Sequence, residues 1–174
     1  MNNKRIVSFL IRLLLILPAG VMADNLDLIG LDGSRHQLTD FIGKGKWTVV
    51  MIWSAHCGVC QYEAPKVEKF SRKYRDGQAD VVGISVDGSE GAADARAFVR
   101  EHGLSFTSFL ADIEDLALLF YDATGTNLVG TPAFLVYNPQ GDLRTYQIGG
   151  MDMAALETFI QKQSRVAVKE GDKS

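Results

Sequence analysis

WSAHCGVC, Trp53–Cys60, holds the only two cysteines of a 174-residue chain, three positions apart. Upstream, KWTVVMIW (Lys46–Trp53) is a β-branched, aromatic-rich run without a breaker, the pattern of a central strand buried on both faces. Downstream, GVCQYEAPKVEKFSRKYRD places Val59, Val67, Phe70 and Tyr74 at helical spacing. The strand is therefore predicted to end just before Cys57 and a helix to begin at it. That junction sets the first sulfur beside the orphan N–H groups and positive end of the helix, which favours thiolate over thiol. Cys60, one turn further on, is expected to be more enclosed.

Three readings of this cysteine pair compete. A structural disulfide across two residues closes a very small loop and restrains the unfolded chain little. A structural zinc site wants four ligands, and one Cys-x-x-Cys supplies two. The three histidines, His36, His56 and His102, stand at spacings that form no finger. A redox pair asks only for one reactive thiol with a second within reach, and it is the reading the strand–helix junction favours. Cys57 is then the attacking nucleophile and Cys60 the thiol that resolves the mixed disulfide.

The N-terminus bears on the compartment. MNNKRIVSFLIR carries Lys4, Arg5 and Arg12, and LLLILPAGVMA follows, with Val21 and Ala23 at the small-residue positions of a leader cut after Ala23. Residues 1–23 are expected to be a secretory signal peptide, the alternative being a retained membrane anchor. Arg12 leaves too short an apolar run for a comfortable span. Export makes a disulfide-permissive setting, periplasmic or otherwise extracytoplasmic. Without that leader, 15 basic residues face 21 acidic ones, a formal charge of −6. An acidic surface argues against nucleic acid or anionic lipid as a partner.

With the strand, W-S-A-H-C-G-V-C, Glu63 and Pro65, the sequence resembles the thioredoxin fold, in particular the exported TlpA/ResA-like thiol–disulfide oxidoreductases, over most of residues 26–165. The resemblance implies a cis-proline facing the thiols, matched by Pro132 in VGTPAFLVYNPQGDL, with the backbone of Thr131 pairing with an incoming extended peptide. It implies that Glu63 tunes the thiols; if part-buried beside them, its pKa would rise and it would shuttle a proton. A solvated first-turn glutamate is the plainer alternative. Cytoplasmic thioredoxins have a buried aspartate six residues before the first cysteine, where this chain has Met51, which moves that task toward Glu63. The dipeptide Gly58–Val59 contains no proline, and such pairs with Thr before the cis-proline also resemble periplasmic disulfide isomerases. His56, beside Cys57, is either a cation that stabilises the thiolate or a solvent-facing side chain. Trp53 either covers the disulfide or fills the core.

The remaining chain fits the same architecture. LDLIGLDGSRHQLTDF alternates around Asp32–Gly33, the signal of a two-residue hairpin turn. ADVVGISVDG (Ala79–Gly88) reads as a second buried parallel strand, and GAADARAFVREHG as a helix closed by Gly103. SFTSFLAD, IEDLALLFY and MDMAALETFIQK read as a short strand and two helices. The expected fold is an α/β three-layer sandwich, a central mixed sheet flanked by helices, with an N-terminal β-hairpin and a βα insertion. The domain spans residues 24–165, with a flexible tail over 166–174 and a polar loop, Asp122–Gly130, near the active face.

The function expected from these residues is an exported reductase of protein disulfides, with cytochrome maturation as the family's best-known use. Rivals are an oxidase or isomerase of secreted proteins and a copper(I)-binding chaperone. A peroxidase fits less well, since no lone cysteine stands in a Pro/Thr-rich loop. No cofactor beyond the Cys57–Cys60 disulfide and no metal site is expected. Expected partners are cysteine-containing client proteins and, by the resemblance, a membrane thiol reductant of the DsbD type; the protein is expected to be a monomer.

Overall fold

The computed structural model describes residues 25–171, with side chains through residue 165. The leader expected over 1–23 lies outside the described residues. No described helix is long and apolar enough to cross a membrane.

Seven strands form one mixed sheet in the order β2-β1-β5-β4-β3-β6-β7. The strands are β1 (Asp27–Gly30), β2 (Arg35–Gln37), β3 (Trp47–Trp53), β4 (Ala79–Ser85), β5 (Thr107–Leu110), β6 (Ala133–Tyr137) and β7 (Leu143–Ile148). Helices are α1 (Gly58–Tyr74), α2 (Ala92–Glu101), α3 (Ile113–Thr124) and α4 (Met153–Gly171). β3, β4 and β5 are parallel, and β1, β6 and β7 close the sheet with antiparallel pairings.

Every residue of β3 is buried, and its alternation divides the core in two. Trp47, Val49, Met51 and Trp53 face one side, with Cys60, Ala64, Val67 and Phe70 of α1, Phe98 of α2 and Ile160 of α4. Val50 and Ile52 face the other, with Leu116, Leu119 and Phe120 of α3. An unbroken apolar strand needs this cover on both faces, and the helices supply it. The inserted unit is α2 with β5, which places β5 between β1 and β4.

Three details depart from the sequence reading. The hairpin loop has three residues rather than two: Gly33 N–H donates to the Gly30 carbonyl, and Gly33 then takes a φ of 87° before Gly30 N–H bonds the Ser34 carbonyl. A tight turn followed by a left-handed glycine is the three-residue solution, and Asp32 supports it by accepting from Ser34 N–H at 2.9 Å. Asp122–Thr124 belong to α3, which ends on Gly125 at φ 69°, so the polar loop is shorter than expected. The backbone of α4 continues to Gly171 instead of fraying near 166, because RVAVKE contains no breaker before that glycine.

Candidate active site

β3 stops at Trp53, and four residues later Cys57 caps α1. Cys57 has an extended backbone, φ −86° and ψ 109°, and its Sγ accepts the Cys60 N–H at 3.1 Å. A sulfur in the N-cap position satisfies an orphan donor of the first turn and sits at the positive end of a 17-residue helix. Across the site, the Thr131–Pro132 peptide is cis, and Cys57 Sγ–H donates to the Thr131 carbonyl at 3.2 Å. Pro132 is buried at the start of β6, next to β3 in the sheet, and this pairing brings Thr131 to Cys57. Gly58 and Val59 are exposed at the helix start, and a Cβ at Gly58 would meet nothing within 4 Å.

The two thiols are unbridged and chemically unlike. Burial opposes ionisation of Cys57 but is outweighed by hydrogen bonds from the Cys60 thiol, the Thr131 side chain and the Cys60 and Val59 N–H groups, so its pKa falls below the ordinary value. Cys60 is 0% exposed, and burial, seconded by its hydrogen bond to Cys57, pushes its pKa up to about 12. One thiol is thus half-buried and ready to ionise, and the other is held protonated one helical turn away.

For His56 and Trp53 the structure takes one of the two alternatives the sequence left open, and for Glu63 it takes neither. Glu63 is buried at 4% exposure, but its hydrogen bonds go to Lys66 Nζ at 2.7 Å and Met151 N–H at 3.3 Å rather than to either sulfur. The turn from β7 to α4 packs onto its carboxylate so closely that a Cβ at Gly150 would lie 3.0 Å from Oε1. Glu63 therefore fastens that turn to α1, beside a cleft of about 770 Å³ lined by Lys66, Lys69, Phe70, Met153 and Glu157. His56 faces solvent and α2: its Nε2 lies 3.2 Å from Asp94 Oδ2, and its side chain is 76% exposed. Trp53 is fully buried and stacks on Phe98 at 4.3 Å between ring centroids, filling the core beneath α2 in the same cluster as Cys60. Its Nε1 is the buried side-chain polar atom without a partner among the described residues. No group of three or more metal-ligating side chains occurs among the described residues.

Sequence reasoning missed Asp87. Its carboxylate accepts Ser54 Oγ–H at 2.6 Å, Ala55 N–H at 2.8 Å and Ser85 Oγ–H at 2.7 Å, tying the loop before Cys57 to the end of β4. Burial raises its pKa, but these hydrogen bonds and the nearby His56 outweigh burial and bring it below the ordinary value. The available signal was registry: Trp53 pairs with Ser85, so the two parallel strands end level and their outgoing loops meet.

A model of the AhpC/TSA family matches residues 19–146. Over 132 residues the chain is 33% identical to the thiol–disulfide oxidoreductase YkuV of Bacillus subtilis, covering 74% of this chain and 82% of that one. Over 143 residues it is 29% identical to the thiol–disulfide oxidoreductase ResA of Halalkalibacterium halodurans, covering 82% and 76%. The thioredoxin domain of a thiol–disulfide oxidoreductase from Bacteroides vulgatus superposes with a TM-score of 0.65 at 25% identity, over 79% of this chain and 94% of that one.

Proposed function

The chain belongs to the AhpC/TSA family and, within it, to the ResA-like thiol–disulfide oxidoreductases of thioredoxin fold, and from this we propose that it is an exported reductase of protein disulfides. The observation that carries the reading is the asymmetry of the two thiols, Cys57 half-buried with a lowered pKa and Cys60 enclosed with a pKa of about 12. In this reading the Cys57 thiolate attacks one sulfur of a client disulfide, forming a mixed disulfide and releasing the other client sulfur as a thiolate. Cys60 then gives up its proton and attacks Cys57 Sγ, releasing the second client sulfur. Two electrons and two protons pass to the client, and a Cys57–Cys60 disulfide remains. The carbonyl of Thr131, 3.2 Å from Cys57 Sγ, offers an extended client backbone an acceptor once the thiol proton is gone.

Export is supported by the charged start, apolar middle and Ala23 of residues 1–23. A reductase outside the cytoplasm must be recharged, and a membrane thiol reductant of the DsbD type is the partner proposed for that step. The direction of flow is tested by the reduction potential of the Cys57/Cys60 pair, equilibrated with glutathione or dithiothreitol. A value near or below about −200 mV supports a reductase. One near about −120 mV overturns that direction and makes the protein an oxidant of its clients.

A further inference from the structure

We propose that Asp87 is a positioning residue for the nucleophile: it fixes the Ser54–His56 loop so that Cys57 stays seated in the N-cap of α1. The proposal rests on Cys57 being the attacking thiol and deepens that reading. Both carboxylate oxygens are engaged, Oδ1 by the Ser54 hydroxyl and Oδ2 by the Ala55 N–H and the Ser85 hydroxyl. Ser54 in turn holds the nucleophile, since its carbonyl accepts the Cys57 N–H at 3.2 Å. One side chain from the turn after β4 thus governs two consecutive residues leading to the cysteine.

Asp87 is itself rigidly held. Its N–H donates to Ser85 Oγ at 3.1 Å, and its carbonyl accepts Gly91 N–H at 3.1 Å. Gly91 approaches so closely that a Cβ there would lie 2.4 Å from the Asp87 Cβ. The turn that carries the carboxylate is therefore built around it, and the entry to α2 is part of the same support. The titratable neighbours are His56, which lies near Asp87, and Asp94, whose Oδ2 lies 3.2 Å from the His56 Nε2.

What depends on this anchor is the alignment of Cys57 Sγ with the Cys60 N–H at 3.1 Å, a contact that favours the thiolate. Letting the loop drift weakens that contact and makes the thiol harder to ionise. Were Asp87 acting only as a negative charge near Cys57, its removal would make the thiol easier to ionise, so the sign of the change separates positioning from charge.

The test is the pH profile of Cys57 alkylation by iodoacetamide in the reduced full-length protein, followed by mass spectrometry, for D87A, D87N and S54A. Loss of the anchor is expected to raise the midpoint by roughly half to one pH unit in D87A. D87N, which keeps one acceptor oxygen, is expected to fall between D87A and the parent. S54A keeps the carboxylate and removes one of its donors, so it is expected to raise the midpoint by a smaller amount. A midpoint in D87A equal to or below that of the parent overturns the proposal. Should D87A not fold, an unshifted S54A midpoint overturns it instead. Alkylation reads Cys57 whichever way electrons flow, so a reduction potential that defeats the reductase reading leaves this result standing.

Discussion

Reduced protein exposed to a limiting thiol-directed alkylating agent near neutral pH is expected to be modified at Cys57 with Cys60 left intact. An unperturbed thiol at the reference value of 9.0 is about 3% ionised at pH 7.5, and Cys57, held below that value, exceeds this fraction. At a pKa of about 12, Cys60 keeps roughly three thiolates in 10⁵. Ionisation alone therefore favours Cys57 by at least about 10³. A more basic thiolate is the better nucleophile, and with a Brønsted slope of about 0.4–0.5 three pKa units return roughly 10^1.2 to 10^1.5 of that advantage. A preference of at least about 30-fold remains, and the complete burial of Cys60 widens it because the reagent must reach the sulfur. The assay is peptide mapping by mass spectrometry after timed iodoacetamide labelling, with Cys57→Ser and Cys60→Ser as site controls. Cys57→Ser is expected to leave the protein nearly unreactive, and Cys60→Ser to preserve fast labelling. Equal rates at the two cysteines, or faster labelling of Cys60, would refute the assignment of nucleophile and resolving thiol.

Gly83→Ala is expected to destabilise the fold by about 1–3 kcal/mol in urea denaturation, because the added methyl overpacks a filled site. It would stand 2.9 Å from the Phe106 ring and Ser108 Oγ and 3.0 Å from Trp53 Nε1, and unchanged stability would show that these side chains yield freely. Acid should destabilise the protein through Glu68 and Asp87. In each, burial raises the pKa but is outweighed, by Ser105 and Arg72 for Glu68 and by Ala55 N–H, Ser54 and Ser85 for Asp87, so both folded-state values are depressed. Their stabilisation is then fully present above the unfolded values of 4.5 and 3.8 and is lost as pH falls through the folded ones. Thermal melts of the parent and of E68Q and D87N between about pH 6 and pH 3 check this: the variants should show a flatter decline of Tm, and parallel declines would contradict it.

The sequence by itself determined the local pieces of this protein. Seven breaker-free residues from Trp47 to Trp53 make a strand that has to be covered on both faces, and helical spacing after Cys57 starts α1 at that cysteine. Those two facts place one sulfur at a helix start and the other a turn inside, which is the core of the chemistry. They are legible because period, breakers and caps act within a few residues of one another.

Tertiary structure decided which partner each polar side chain takes. Glu63 lies one turn from Cys60 in sequence, yet the β7–α4 turn brings Met151 N–H to its carboxylate, and Lys66 takes the rest. His56 adjoins Cys57, but α2 presents Asp94 to it. Trp53 precedes the cysteines and nevertheless turns into the core, where Phe98 stacks on it. Asp87, 30 residues beyond Cys57, reaches the loop ahead of that cysteine only because β3 and β4 run parallel and end in register. A hydrogen bond needs two groups within about 3 Å, and for groups far apart in the chain only strand register and helix packing set that distance.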